Sequence, residues 1–161
     1  MQAPADAKAG EGAYVAAMPN LFTIGYEAET LDRFLGRLKA AGVKVVIDVR
    51  AVAASRRAGF SKTLLAASLA AEGIDYVHLR GLGTPKAGRD AARKGRTAEM
   101  REIFEAALAE PQAQLELAQA EQIAIGRPAA LLCFEAEACG CHRAIVAERL
   151  KEKRRFEVVD L

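Results

Sequence analysis

The sequence predicts a three-layer α/β/α domain built around a five-stranded, mainly parallel β-sheet. Short apolar segments alternate along the chain with segments whose apolar residues recur at helical spacing. The segment VKVVIDV at residues 43–49 is almost continuously apolar and β-branched, which is typical of a strand buried on both faces of a parallel sheet. Strands and helices that alternate in this way indicate an α/β domain with a mostly parallel sheet.

Five apolar runs account for the predicted strands. The first is LFTIGY, in which a glycine closes the strand, and the last is FEVVDL. The predicted strands cover residues 21–26, 43–49, 74–79, 129–134 and 156–161.

Helices are predicted between these strands from their caps and their apolar spacing. Thr30 is expected to cap a helix whose apolar residues recur at i, i+3, i+4 and i+7, and Gly42 to end it. Ser61 and Gly73 are expected to bound a second helix in the same way. The remaining helices are predicted to begin near Thr97, Pro111 and Cys141.

Residues 80–96 form a polar, glycine-rich stretch that is predicted to be a loop. Its basic residues are opposed only by Asp90. Three interpretations stay open: a mobile flap that closes over a phosphate-bearing ligand, a track for a nucleic-acid backbone, and a solvated polar loop. Five of the basic residues fall within the eleven residues 86–96: Lys86, Arg89, Arg93, Lys94 and Arg96.

The composition of the 161 residues indicates a single globular domain. A formal net charge of +2 is too small to indicate nucleic acid as a partner by itself. Residues 1–20 lack the apolar run of a signal peptide and are predicted to be a disordered tail before one domain at 21–161. No stretch approaches the ~18 apolar residues that span a bilayer, so no membrane partner is predicted. Three cysteines, all within 133–141, suit a reducing, cytoplasmic setting.

Polar side chains follow four of the predicted strands. In an open parallel sheet, ligands bind outside the carboxyl ends of the strands, so these side chains predict a site at that edge. They are Tyr26, preceded by Gly25, at the end of the first strand, Asp48 and Arg50 at the end of the second, His78 at the end of the third, and Cys133 and Glu135 at the end of the fourth.

Asp48 and Arg50 place an acid and a base on the same side of the second strand. Arg50 is predicted to bind an anionic ligand, and Asp48 to accept a proton or to position a neighbouring group. Ser55 and Arg56, on the loop that follows, are predicted to bind the same ligand. The alternative is a structural ion pair that satisfies buried polar atoms.

Cys141, His142 and Arg143 stand at the predicted start of a helix. The helix terminus and the neighbouring cations favour a thiolate there, so Cys141 is a candidate nucleophile, His142 a proton carrier and Arg143 an anion-binding residue. Glu135 is predicted to act as a general base or to hold His142 in orientation. The alternative is a helix cap with an incidental thiol. For Cys133, an inert role in the core and a functional role in the site are equally consistent with the sequence.

The spacing of the cysteines argues against a metal site. Zinc binds thiolates and imidazoles, but Cys139-Gly140-Cys141-His142 is tighter than a zinc knuckle, and the chain has no second cysteine pair. The sequence therefore predicts neither a metal nor another cofactor.

The motifs, in their order, resemble those of the family catalogued as domain of unknown function 488. They are TIGY at 23–26, IDVR at 47–50, SR at 55–56, GF at 59–60, GIDY at 73–76, LG at 82–83, CFE at 133–135 and CHR at 141–143. The resemblance extends from Leu21 to about Leu161. It implies an α/β domain with its site at these motifs, and it implies no particular reaction. A weaker similarity, to rhodanese-type sulfurtransferases, rests on the DVR strand and on a later strand that ends in a cysteine before an arginine-opened helix.

These observations predict an enzyme, either a hydrolase or a transferase, that acts on an anionic substrate, phosphate-bearing or nucleotide-like. The assigned residues are Arg50, Arg56 and Arg143 for binding charge, and Asp48, Glu135 and His142 for moving protons. Two alternatives stay open: a module that binds nucleic acid or a nucleotide without catalysis, and a sulfurtransferase that carries a persulfide on a cysteine. The expected partner is an anionic small molecule or nucleic acid.

Overall fold

The structure, a computed structural model, describes residues 17–161 and contains the predicted strands in the predicted order. The strands are β1 (Asn20–Gly25), β2 (Val45–Asp48), β3 (Asp75–His78), β4 (Ala129–Cys133) and β5 (Glu157–Asp160). The helices are α1 (Leu31–Ala40), α2 (Lys62–Ala71), α3 (Lys86–Arg93), α4 (Thr97–Leu108), α5 (Pro111–Gly126) and α6 (His142–Lys153). The predicted tail at 1–20 falls mainly on residues 1–16, which lie outside the described residues.

The sheet has the strand order β3-β2-β4-β1-β5, and each neighbouring pair of strands is parallel. This confirms the prediction of a five-stranded α/β fold. The register aligns the carboxyl ends of the strands: Gly25 of β1 lies beside Cys133 of β4, and Asp48 of β2 lies beside Leu132 of β4 and His78 of β3. The polar residues that follow these strands are therefore gathered at one edge of the sheet.

Hydrophobic cores lie on both faces of the sheet and make the domain three-layered. On one face, α1 and α2 bury side chains such as Phe34 and Leu69 against the strands. On the other face, α3 to α6 bury side chains such as Phe104 and Leu150. β4 lies in the middle of the sheet and is buried along its whole length, as its unbroken apolar sequence requires. Across residues 17–161, none of the helices combines the length and the apolar character that crossing a membrane needs.

The caps of α1 follow the prediction, whereas the start of α2 differs from it. Thr30 accepts a hydrogen bond from the backbone N–H of Arg33 at 3.3 Å, and Gly42 leaves the helix at a φ of 73°, which glycine adopts without strain. Ser61 occupies the cap position of α2, but its hydroxyl accepts from the backbone N–H of Ser55 at 3.0 Å. That hydroxyl therefore closes the preceding loop and does not cap the helix.

The prediction that residues 80–96 form a loop is wrong, because they contain helix α3. The glycine inside α3 is a packing residue and does not break the helix. A Cβ on Gly88 would lie 2.5 Å from Cγ2 of Thr84 and 3.3 Å from Cγ2 of Ile103 on α4. Glycine thus allows α3 to approach α4 closely, and this basic stretch is a packed helix.

Candidate functional site

At the carboxyl end of β4 the chain leaves the sheet towards the face opposite to the one that carries α1 and α2. The segments after β1 and β2 lead to α1 and α2 on one face, whereas the segment after β4 leads to α6 on the opposite face. Because β4 lies between β2 and β1, the connections diverge on both sides of it. Open α/β sheets bind their ligands in the crevice that such a divergence creates.

The backbone that follows β4 is pressed against the end of β1. The N–H of Tyr26 donates to the carbonyl of Phe134 at 3.1 Å. A Cβ on Gly25 would lie 1.7 Å from the carbonyl oxygen of Glu135, a distance at which no side chain fits. Gly25, predicted as a ligand-binding residue, therefore allows this loop to cross β1, and the loop begins the site.

Four side chains converge at this point, and we call them the thiol cluster: Cys133, Glu135, Cys141 and His142. One carboxylate oxygen, Oε2 of Glu135, accepts from Sγ of Cys133 at 3.0 Å and from Sγ of Cys141 at 3.1 Å. Nδ1 of His142 lies 3.6 Å and 3.9 Å from the same two sulfur atoms. The thiols and the imidazole are buried, and Glu135 is half-buried between them and solvent.

The imidazole of His142 is held in one orientation. Its Nε2 lies 2.8 Å from the carbonyl oxygen of Val49, which can only accept, so Nε2 carries a hydrogen. The ring of Phe104 packs edge-on against it at 5.3 Å between ring centroids. Nδ1 is consequently the ring nitrogen that is left to contact both sulfur atoms, although Sγ of Cys133 also lies 3.9 Å from Nε2.

The members of the cluster alter one another's protonation. Burial acts to raise the pKa of Glu135, but hydrogen bonds from Cys133 and Cys141 outweigh it, so this pKa is lowered. Burial acts to lower the pKa of His142, but Cys141, the Val49 carbonyl and Glu135 outweigh it, so this pKa is raised. The hydrogen bond with Cys133, and then burial, raise the pKa of the Cys141 thiol. The cluster therefore favours a carboxylate, an imidazolium and a protonated Cys141.

Arg143 lies inside the protein and holds the loop after β4. Its guanidinium is fully buried and donates to the carbonyls of Glu135 and Ala136, the latter at 3.1 Å. Its Nη1 lies 3.8 Å from Sγ of Cys141. Its Nε has no hydrogen-bond partner among residues 17–161. The side chain predicted to bind an anionic ligand thus donates from both terminal nitrogens to backbone carbonyls.

Arg50 and Asp48 form a buried network on the other face of the sheet. Nε and Nη2 of Arg50 donate to the carboxylate of Asp48 at 2.7 to 3.0 Å. Nη1 of Arg50 donates to the Tyr26 hydroxyl at 2.9 Å and to the Phe60 carbonyl at 2.8 Å, and the Tyr76 hydroxyl donates to Asp48 at 2.5 Å. Burial acts to lower the pKa of Arg50, but Asp48 outweighs it and raises that pKa. Burial, and then the bond to Asp48, raise the pKa of Tyr76.

Ser55 and Arg56 lie on the loop between β2 and α2. The Ser55 hydroxyl accepts from the backbone N–H of Arg57 at 3.1 Å. Arg56 is exposed and, in the part of the chain that the structure describes, forms no ion pair. Arg56 and Arg57 line a cavity of about 650 Å³ that also borders Thr30 and the start of α1. Within those residues, the buried Nε of Arg57 has no hydrogen-bond partner.

A second cavity, of about 490 Å³, adjoins Cys141 on the α6 face. Thr23 and Asp160 border it at the ends of β1 and β5, and Arg101 of α4 and the exposed Cys139 border it elsewhere. The Thr23 hydroxyl donates to Asp160 at 2.5 Å. This cavity gives the buried thiol of Cys141 a route to solvent.

The structure divides the predicted site residues into separate groups. Tyr26, Asp48 and Arg50 form the buried network; Glu135, Cys141, His142 and Arg143 lie together above Gly25; Ser55 and Arg56 lie on the loop beside the larger cavity. Sequence reasoning left Cys133 undecided, although strand alternation, which puts residues 133 and 135 on one side, could have found it. It missed Tyr76, because the bond from Tyr76 to Asp48 depends on the pairing of β2 with β3.

Comparison with protein-family models gives a match over residues 30–150, about three quarters of the chain, to the family described as "Domain of unknown function DUF488". Neither curated proteins nor solved structures give a significant match.

Proposed function

This chain belongs to the DUF488 family, and we propose that it is an enzyme, a hydrolase or a transferase, that acts on an anionic substrate at the carboxyl edge of its sheet. The observation that carries the proposal is the thiol cluster. The side chains come from β4, from the loop after it and from the start of α6. Each of the two sulfur atoms lies within 4 Å of one carboxylate oxygen and of one imidazole nitrogen.

Catalysis explains this cluster better than stabilisation does. Burying a polar group costs free energy unless the group has a hydrogen-bond partner. An apolar core of the same volume would hold the strand against the helix without that cost in free energy. The cluster also lies at the crevice where α/β sheets bind their ligands. Glu135 stands half-exposed above the thiols, so it can exchange protons with a substrate. Val49 orients the buried His142 so that its Nδ1 can exchange protons with the two thiols.

Arg56 and Arg57 are the residues that we propose to bind the charge of the substrate. They line the 650 Å³ cavity, and Arg57 directs a buried Nε that is unpartnered within residues 17–161. The guanidiniums of Arg50 and Arg143 are engaged with protein acceptors. We therefore propose that these two, with Asp48, position the site, and that the exposed Arg56 makes the first contact with an anion.

Anion binding is tested by calorimetric titration with inorganic phosphate and with adenosine monophosphate. We expect Arg56→Gln to weaken binding about 10- to 100-fold, which corresponds to the loss of one charge-assisted hydrogen bond. Arg155→Gln is the control, because it removes the same charge from an exposed position before β5. Equal affinity in both variants, or the absence of binding to either anion, would contradict the role of the arginines.

Turnover is tested on phosphomonoesters and nucleotides with variants of the cluster. We expect His142→Gln to lower kcat about 100-fold or more, as loss of a proton-transferring group does. Cys139→Ser should leave kcat unchanged, because this thiol is exposed and lies outside the cluster. If neither class of compound is turned over by the wild-type protein, the proposed substrate class is wrong.

The alternatives have less support from the geometry. The case for nucleic-acid binding by the basic stretch is weaker because three of its cations already have partners within the protein. Lys86 and Arg93 both pair with Asp90, and Arg89 donates to the carbonyl of Thr84. Sulfur transfer needs a nucleophilic thiolate, whereas the pKa of the Cys141 thiol is raised. A persulfide on Cys133 or Cys141 after incubation with thiosulfate, detected by mass spectrometry, would favour sulfur transfer over our proposal.

A further inference from the structure

We propose that Cys133, Cys141 and His142 bind a thiophilic divalent cation of the zinc class, with Glu135 as the fourth ligand. This inference rests on the proposed function, because it assigns a metal to the same thiol cluster. The two sulfur atoms and an imidazole nitrogen lie within 4.8 Å of one another, and all three residues are buried. The cation would bind at the end of β4, where the sheet opens towards solvent.

The distances within the cluster correspond to the edges of a tetrahedral site. A zinc-class ion forms bonds of about 2.3 Å to sulfur and about 2.0 Å to nitrogen or oxygen, and at the tetrahedral angle of about 109° neighbouring ligand atoms lie about 3.5 Å apart. Nδ1 of His142 lies 3.6 Å and 3.9 Å from the sulfur atoms. Oε2 of Glu135 lies 3.0 Å and 3.1 Å from them. These four of the six ligand-to-ligand distances therefore lie within about half an ångström of the tetrahedral value. The two sulfur atoms lie within 4.8 Å of one another.

The orientation of His142 is the one that a metal-binding histidine adopts. Such a histidine usually donates its other ring N–H to a carbonyl or a carboxylate, which fixes the ring and the tautomer. Here Nε2 donates to the carbonyl of Val49 at 2.8 Å, and Nδ1 is directed at the sulfur atoms. This outer contact comes from the end of β2, so neighbouring strands both contribute to the site.

The charge of Arg143 provides an independent argument. The guanidinium is fully buried, and within residues 17–161 it forms no ion pair with a carboxylate. A buried cation needs a compensating negative charge nearby. A divalent cation with two thiolates and one carboxylate carries one net negative charge, and Nη1 of Arg143 lies 3.8 Å from Sγ of Cys141. The metal-bound cluster therefore neutralises Arg143.

Binding changes protonation without any change of oxidation state. The S–H bonds of Cys133 and Cys141 and the Nδ1–H bond of the His142 imidazolium break, and the three protons leave to solvent. Each sulfur and Nδ1 then forms a bond to the cation with its electron pair. Glu135 loses the two S–H donors and forms a bond to the cation with the same oxygen. The cavity beside Cys141 and the half-exposed Glu135 give the cation a route to the site.

The experiment is a titration of the reduced, chelator-treated full-length protein with Co²⁺ and with Zn²⁺ alone. We expect about one cation per chain, with Co²⁺ giving a sulfur-to-metal charge-transfer band and the visible bands of a tetrahedral site. Cys141→Ser should weaken binding by more than the ~10- to 100-fold that loss of an outer contact costs. The control is Cys139→Ser, which removes an exposed thiol two residues away and should bind as the wild-type protein does.

Three results would overturn the inference: less than about a tenth of a cation bound per chain, an octahedral Co²⁺ spectrum, or equal affinity in the two serine variants. Because Cys141→Ser removes a buried group, its fold is checked by circular dichroism. Glu135→Gln, at a half-buried position, provides a second ligand variant that should weaken binding and leave the charge-transfer band in place. A Glu135→Gln protein that binds with wild-type affinity would exclude Glu135 as the fourth ligand.

Failure of this inference can be told apart from failure of the proposed function. Cation binding is measured without substrate, and phosphate binding and turnover are measured on metal-free and metal-loaded protein. Turnover of anions by a protein that binds no cation would refute the metal site and leave the enzyme proposal standing. Tetrahedral binding in a protein that neither binds nor turns over anions would support the metal site and refute the proposed function.

Discussion

Replacing Asp48 with asparagine removes the charge that compensates Arg50 and keeps the size of the side chain. The carboxylate of Asp48 is fully buried, and its two oxygens accept from the Arg50 side chain, from the Arg50 backbone N–H at 3.0 Å and from the Tyr76 hydroxyl at 2.5 Å. In the Asp48→Asn variant, one acceptor oxygen becomes an NH₂ group that faces donors. The Arg50 guanidinium, only 4% exposed, keeps its charge without a counter-charge.

The expected cost is large because both partners are buried. Removing one partner of a buried ion pair destabilises a protein by about 3–5 kcal/mol. The matched control is Asp75→Asn, at the first residue of β3. Asp75 pairs with Arg127 at 2.5 Å, but the two side chains are 62% and 43% exposed. An exposed pair contributes about 0–1 kcal/mol, so the control should unfold almost as the wild-type protein does.

Equilibrium unfolding in urea, followed by circular dichroism, measures both variants. With an m-value of about 2 kcal/mol per molar urea, a loss of about 4 kcal/mol lowers the midpoint by about 2 M. The control should shift the midpoint by less than about 0.5 M on the same basis. If Asp48→Asn and Asp75→Asn differ by less than about 1 kcal/mol, the buried network does not stabilise the fold, and Asp48 and Arg50 become candidates for direct chemistry.

Substitutions at three further positions test the fold beneath the site. Gly25→Ala should destabilise the protein severely or prevent folding, because its Cβ would lie 1.7 Å from the carbonyl oxygen of Glu135; a thermal melt within a few degrees of wild type would refute this close approach. Gly36→Ala, in the middle of α1 with no described atom within 4 Å of the new Cβ, should stabilise by about 0.8–1 kcal/mol in urea unfolding, and destabilisation would contradict the helical environment. Thr30→Ala should destabilise by about 1 kcal/mol through loss of its bond to Arg33, and Thr30→Ser should restore most of that stability.

The buried arginines show how the protein uses charge at this edge of the sheet. Arg50 ties the end of β2 to Tyr26 and to the Phe60 carbonyl, and Arg143 ties the loop after β4 to the start of α6. Both side chains fix loops that leave the strand ends. The two arginines therefore fix loops on both faces of the sheet, at the edge where the thiol cluster lies.

Local chemistry made most of the fold predictable. An unbroken β-branched run such as residues 43–49 fits a central parallel strand, and Thr30 and Gly42 mark a helix through bonds and dihedral angles of their own. The prediction for residues 80–96 was wrong for a non-local reason. Gly88 looks like a helix breaker in sequence, but its small size matters because Thr84 and Ile103 lie against it. That requirement exists only once α3 packs on α4.

The order of residues along the chain is enough to identify which strands carry polar groups at their carboxyl ends, and therefore the edge at which the candidate site lies. It also identifies the residues that share one side of a strand, because side chains alternate along it. How these pairs face one another depends on the pairing of the strands. In the parallel register Asp48 lies beside Leu132 and not beside Cys133, so the pair at 48 and 50 and the pair at 133 and 135 project from opposite faces of the sheet. A shift of one residue would have placed both pairs on one face, and no local property of either strand specifies that register.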